Sequence, residues 1–219
     1  MTIHEPQMQS YYAARAPEYD NIYLKPERQN DLRAVESWLP PLFAKSTVLE
    51  VACGTGYWTQ FIAQAATHMI AIDTSPETMR IAESRVPDGK VEFLVGDAYE
   101  LPPHLGKFDA AFAGFWFSHV PKNRRHEFLR GLAALLIPGA KVVLLDNRYV
   151  EGSSSPITET DAEGNTYQAR KLKDGSTHLV IKNFPSEADL QSSIDGLGRR
   201  GTLTTWHHFW AFEYVATEP

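Results

Sequence analysis

With 219 residues, 43 % of them hydrophobic, the chain has enough apolar side chain for one good core and reads as a single domain with decorations. A net charge of −6 with no basic block or stripe argues against a nucleic-acid partner, whose phosphates need clustered Lys and Arg. The lone Cys53 rules out an intrachain disulfide, and no basic-then-apolar leader or bilayer-length apolar run is present, so a soluble, cytoplasmic protein with no membrane partner is expected.

In chain order, residues 7–23 are rich in tyrosine (Tyr11, Tyr12, Tyr19, Tyr23) and read as a short helix broken near Pro17. Residues 28–39 form an amphipathic helix with Leu32, Val35, Trp38 and Leu39 on one stripe, stopped by Pro40 and Pro41. From Thr47 short apolar runs alternate with helical periods, the pattern of a parallel α/β sheet. The first run, 47–52, ends in Ala52-Cys53-Gly54-Thr55-Gly56, and a helix over 57–66 follows. Two glycines one residue apart let a ligand touch backbone where helix amides and the positive dipole end converge. Cys53 has no base beside it in sequence and reads as a spacer. Gly56 is followed by Tyr57 and Trp58 rather than Lys-Ser/Thr, which disfavours a triphosphate. Thr59 stands where a dinucleotide fingerprint has its third glycine, which disfavours nicotinamide or flavin.

The second strand, 68–72, ends at Asp73, and Thr74-Ser75-Pro76-Glu77 opens a helix with a capping residue ahead of a proline. The third strand, 91–95, leads into Gly96-Asp97-Ala98. The fourth, 108–115, ends in an aromatic lip, Trp116-Phe117-Ser118-His119. A helix over 122–136 absorbs the short basic cluster Lys122 to Arg125 on its polar face and leads through Ile137-Pro138-Gly139 to a fifth strand, 140–147. Residues 148–185 break the rhythm with strands at 167–171 and 178–183 joined by Asp174-Gly175, a hairpin insertion expected over the site mouth. A last helix starts at Ser186, and 202–216 supplies terminal strands.

An acid, Glu50, ahead of the Gly54-x-Gly56 turn, with Asp73 and Asp97 at the next two strand ends, resembles the class I S-adenosylmethionine-dependent methyltransferases, with Ala52 where that family has glycine. The resemblance covers 45–147 by motif and the rest by order of elements. It implies a Rossmann-like, mostly parallel seven-stranded α/β sheet with an antiparallel C-terminal strand, an N-terminal helical cap (1–44), a cofactor-binding core (45–147), the insertion (148–185) and a terminal helix and strands (186–219). It also implies that Asp73 takes the ribose hydroxyls and the Asp97-Ala98 loop the adenine. Tyr12, Arg15 and Tyr19 of the cap, Glu50, Ala52, Gly54, Gly56, Trp58, Thr74, Met79 and Phe115 complete the expected S-adenosylmethionine contacts.

Methyl transfer to an N or O atom of a small molecule is then the expected reaction, with protein methylation or a non-catalytic cofactor-binding module as alternatives. Tyr11, Trp116, Phe117 and Tyr149 are candidates to line the acceptor site, with Tyr167 and Arg170 behind them, and His119 is the best-placed proton acceptor. His207 and His208, adjacent on a late strand, face opposite sides, so at most one reaches the site. Asp146-Asn147 resembles half of a magnesium site, but the aspartate expected just after the fourth strand is missing, and no zinc spacing occurs, so no metal is expected.

Overall fold

The computed structural model describes residues 16–87, 89–172 and 175–218; Tyr11, Tyr12, Arg15 and the Asp174 turn position lie outside them. Five strands form in sequence, β1 (Thr47–Val51), β2 (His68–Asp73), β3 (Val91–Val95), β4 (Phe108–Gly114) and β5 (Leu136–Asn147), and pair in parallel. Near the C-terminus β9 (Gly198–Thr205) and β10 (Phe209–Ala216) complete a seven-stranded sheet of order β3-β2-β1-β4-β5-β10-β9. Only β10 runs against the rest, since it is antiparallel to both neighbours. The order reverses between β1 and β4, so their C-terminal ends diverge into a crevice.

Both faces of the sheet are covered, which is why these strands are almost continuously apolar. On one face Leu49 and Val51 pack with Phe128, Leu129 and Leu132 of α4 (Arg125–Ala133) and Leu190 of α5 (Glu187–Ser193). On the other, Val48 and Met69 pack with Leu32, Val35 and Leu39 of and beside α1 (Gln29–Trp38), and with Ile62 of α2 (Thr59–Ala65). Helix α3 (Pro76–Glu83) starts as expected, with the Ser75 side chain accepting from Thr78 N. A capping box, with Ser186 and Asp189 exchanging bonds, starts α5.

Four boundaries differ from expectation. Helix α2 begins at Thr59, because the glycine turn occupies the preceding residues. Helix α1 ends at Trp38, just ahead of Pro40 and Pro41 as expected, but these prolines then open a 3-10 turn, Pro40–Phe43, whose first positions need no N–H. Helix α4 is preceded by a 3-10 turn and ends at Ala133, because Leu136 already pairs with Phe108; the register then shifts before Ala110, and the irregularity absorbs Pro138 and Gly139. The insertion holds three strands rather than two, β6 (Glu159–Thr160), β7 (Thr166–Lys171) and β8 (Thr177–Ile181), in a separate antiparallel sheet. Among the described residues no helix is long and apolar enough to cross a membrane.

Candidate active site

The glycine turn follows directly from β1. Ala52, Gly54 and Gly56 all have left-handed backbone, at φ +58°, +56° and +72°. Asp73, at the end of β2, ties this turn to α3: its Oδ2 accepts from Gly54 N at 2.8 Å and its Oδ1 from Ser75 N at 2.9 Å. Burial pushes the Asp73 carboxyl above its ordinary range, and the Ser75 and Gly54 N–H groups pull it back. The 3-10 segment Ala16–Leu24 closes over the turn, with the Tyr19 ring 3.5 Å from where a Gly54 Cβ would stand. Asp20 latches it down, accepting from the Thr55 hydroxyl at 2.6 Å and pairing with Arg85 beyond the end of α3.

The resulting cleft is lined by Tyr19, Ala52, Gly54, Asp73, Thr74, Asp97, Ala98, Phe115, Trp116 and His119, all expected from sequence, joined by Thr78, Gly96, Tyr99 and Gly114. Tyr99 N donates to Asp97 Oδ1 at 2.9 Å, which turns the chain at the end of β3. Six expected residues stand elsewhere. Trp58 is buried in a ring cluster with Tyr23 and Phe115, at 5.9 Å from each. Phe117 is fully buried against Phe128 and Trp210, because the 3-10 turn Phe117–His119 sends adjacent residues to opposite sides. Met79 is buried without lining the cleft, and Gly56 serves close packing: a Cβ there would meet Ala82 at 2.8 Å. Tyr149 is exposed, edge-on to Phe184. Glu50 is buried, burial pushes its carboxyl up to about 8 against the weaker pull of Thr59, and its Oε2 has no partner among the described residues.

A second cavity, of about 350 Å³, adjoins the first and shares Tyr19, Phe115 and His119 with it. Its other walls come from Lys25 and Arg28 before α1, Asn147 at the end of β5, Ser153 to Ser155, and Gln168 to Leu172 with Lys182 and Phe184 from the insertion. Of these only Arg170 was expected. Tyr167 is turned away, its hydroxyl donating to Asp161 at 2.8 Å. No periodic signal marks the others, which converge from segments more than a hundred residues apart, as in the 3.1 Å bond from Arg28 Nε to Ser153 Oγ.

The insertion is fastened to the sheet by polar bonds. Asn183 N donates to Ser118 O at 2.7 Å, and Lys182 Nζ bonds Asp146 Oδ1 at 2.8 Å. Asp146, fully buried, also accepts from Ser118 N at 2.9 Å; the residue that resembled a magnesium ligand is thus matched to a lysine cation. Burial opposes the charged form of Asp146, but Lys182 and its other partners hold the carboxyl below its ordinary value. His119 Nδ1 lies 2.7 Å from Ile181 O. A carbonyl only accepts, so Nδ1 carries the proton. Burial, then the nearby Lys182 and Arg170, push the His119 pKa well down, so the ring is neutral and Nε2 is its basic nitrogen. Neither His207 nor His208 lines the site: they lie in the turn between β9 and β10, where His208 bonds Asp31 at 2.8 Å. Cys53 is buried, and burial pushes its thiol up, so it stays protonated.

The residues fit S-adenosylmethionine. Asp73 Oδ2 keeps a lone pair after its bond from Gly54 N, whereas Oδ1 takes Ser75 N and, at 3.4 Å, the Thr78 hydroxyl, which a ribose hydroxyl would displace; a side chain at Gly54 would fill the space beneath Tyr19. Together with the sheet order and the acids at the strand ends, this arrangement is similar to that of the class I S-adenosylmethionine-dependent methyltransferases. Residues 48–139 match the methyltransferase domain family. Among solved structures, the complex of DhpI with SAH is 29 % identical with a TM-score of 0.80, covering 98 % of this chain and 97 % of that one. Among characterised relatives, the demethylmenaquinone methyltransferase of Clavibacter sepedonicus is 27 % identical over 74 % of this chain and 64 % of its own. The ubiquinone biosynthesis O-methyltransferase of Xanthomonas axonopodis pv. citri is 29 % identical over 86 % and 74 %. The chain spans less than two thirds of the first three characterised relatives it matches, at 64, 42 and 59 % of their lengths.

Proposed function

We propose that the protein methylates an N or O atom of a small molecule, its four segments acting as one catalytic unit in the cytoplasm. The observation that carries this reading is the junction of the two cavities at Tyr19, Phe115 and His119: a cleft suited to the cofactor adjoins a second cavity of ligand size that opens to solvent. S-adenosylmethionine supplies an electrophilic methyl on a sulfonium. Asp73, the Gly54 backbone and the Asp97-Ala98 loop orient that group, while Tyr19, Phe115 and Trp116 exclude water, which favours a step that disperses charge. His119 Nε2 accepts the proton from an acceptor N–H or O–H, its ring held by the bond from Nδ1 to Ile181 O. A depressed pKa makes it a weak base that stays available down to acid pH.

The test is calorimetric binding of S-adenosylhomocysteine to the wild type and to Asp73→Ala, with NAD as competitor. Binding that weakens at least tenfold in the variant and resists NAD supports the reading; no binding, or displacement by NAD, would sink it. Methyl uptake by His119→Gln then separates roles. An acid limb of the kcat profile that disappears in the variant fits a base, and an unchanged profile assigns His119 to packing alone.

A further inference from the structure

The second cavity is cationic in an acidic protein. Lys25, Arg28, Arg170, Lys171 and Lys182 line it and, among the described residues, no carboxylate does, whereas the chain as a whole carries −6. Lys182 is on Asp146, and Lys25 lies 3.9 Å from Glu27. Arg28 is different. Its side chain is buried, yet its bonds go to neutral acceptors: Nε to Ser153 Oγ at 3.1 Å, Nη1 to Asn147 Oδ1 at 2.9 Å and Nη2 to Ser153 O at 3.3 Å. Two of its five N–H groups remain after these. Glu27 is bonded to it only through Ser153, whose hydroxyl donates to Glu27 Oε1 at 2.8 Å, and no carboxylate oxygen lies within ion-pair distance of Arg28 among the described residues. Burying a guanidinium with no direct ion pair is costly: burial pulls its pKa down, and the nearby Glu27 offsets this only in part. Arg170 of β7, bonded to Gln168 Oε1 at 3.1 Å, lines the same cavity and adds positive potential near enough to act on His119. Low-dielectric walls lined by one sign of charge concentrate the opposite sign.

From this arrangement, and resting on the methyl-transfer reading of the same site, we propose that the acceptor is a small oxyacid anion whose acidic group seats against Arg28 and Arg170. A planar guanidinium with two N–H groups to offer suits a carboxylate or a phosphoryl oxygen pair equally. The cavity volume fits a small acid. Held there, the acid directs the rest of the acceptor toward the Tyr19, Phe115 and His119 junction.

The experiment is calorimetric titration of the full chain with methylphosphonate, inorganic phosphate, acetate and the neutral acetamide, each with and without S-adenosylhomocysteine. Wild type is expected to bind an oxyanion and not acetamide, with tetrahedral and planar anions told apart by which binds more tightly. Arg170→Gln and Arg28→Gln are each expected to weaken the anion at least tenfold and to leave S-adenosylhomocysteine affinity within twofold; Arg130→Gln on the exposed face of α4 should change neither. If Arg28→Gln does not fold, the half-buried Arg170 carries the test. Absence of oxyanion binding, equal binding of acetamide, or anion affinity unchanged in the folded variants overturns the proposal. Anion failure with S-adenosylhomocysteine retained leaves methyl transfer standing; the reverse pattern removes methyl transfer and leaves the anion site.

Discussion

Ala52 holds a left-handed backbone at the mouth of the cleft, where a Cβ crowds the following carbonyl. The chain therefore carries strain of about 1 kcal/mol at the position where the methyltransferases it resembles have glycine. Ala52→Gly is expected to raise the melting temperature by about 2–4 °C while keeping S-adenosylhomocysteine binding; a lower melting temperature would show that the Ala52 side chain contributes packing that outweighs the strain. Glu50 stores a different tension. Its carboxyl titrates near 8 in the fold against 4.5 in an ordinary setting, so between those values the folded state keeps a proton that the unfolded chain releases. Its contribution is then most favourable below pH 4.5 and falls by about 1.4 kcal/mol per pH unit up to 8. Glu50→Gln cannot ionise, so its stability relative to wild type should climb from pH 5 to 8 and then level. Urea melts of both ligand-free proteins across that range check it, and parallel pH profiles would contradict a buried neutral acid.

At the scale of elements, the Ala16–Leu24 segment is held by Asp20 at two points, Thr55 of the glycine turn and Arg85 beyond the end of α3. Because Tyr19 rides on this segment over Gly54, loosening it should act on ligand residence more than on global stability. The pair is partly exposed, and such contacts contribute about 1 kcal/mol. Asp20→Asn should weaken S-adenosylhomocysteine about fivefold, mostly through faster dissociation in stopped-flow traces. A large fall in melting temperature with an unchanged off-rate would assign Asp20 to the fold instead. Elements are also where sequence reasoning did best and failed most instructively. The glycine turn, Asp73 and Asp97 at their strand ends and the Ser75 cap were legible because each is marked by a short local pattern, whereas Glu50 reads like them and is buried outside the cleft. The start of β5 was not: a proline and a glycine read as a break, yet the Phe108 to Leu136 pairing reaches past them. Trp116 and Phe117 read as equals, and only the 3-10 turn separates a cleft residue from a core residue. The cationic wall was illegible for a simpler reason. Arg28, Ser153 and Lys182 are brought together by tertiary folding, and each alone looks like an ordinary polar residue.

Across the whole molecule, one buried charge pair joins the two sheets. Lys182 from the insertion and Asp146 from β5 meet where both are buried, with Ser118 between them. Removing the lysine alone strands a buried carboxylate, so Lys182→Met should cost about 3–5 kcal/mol in chemical denaturation. Adding Asp146→Leu should return most of that loss, since apolar packing often replaces a buried pair at little cost; a double variant as unstable as the single one would mean that the pair itself, rather than the orphaned charge, sets the stability.

The same architecture bears on how the protein changes over generations. The turn, the strand ends and Asp73 belong to the sheet, whereas much of the acceptor chamber belongs to residues 148–185, a piece with its own hydrogen-bonded sheet and a few named fastenings at Ser118, Asp146, Ile181 and Arg28. Drift or grafting within that piece can alter which molecule is admitted while the donor half stays intact, provided the fastenings travel with it. On the proposed function, chemistry and choice of acceptor are separate parts of the chain, and a library confined to that insertion should change the acceptor while S-adenosylhomocysteine binding is kept.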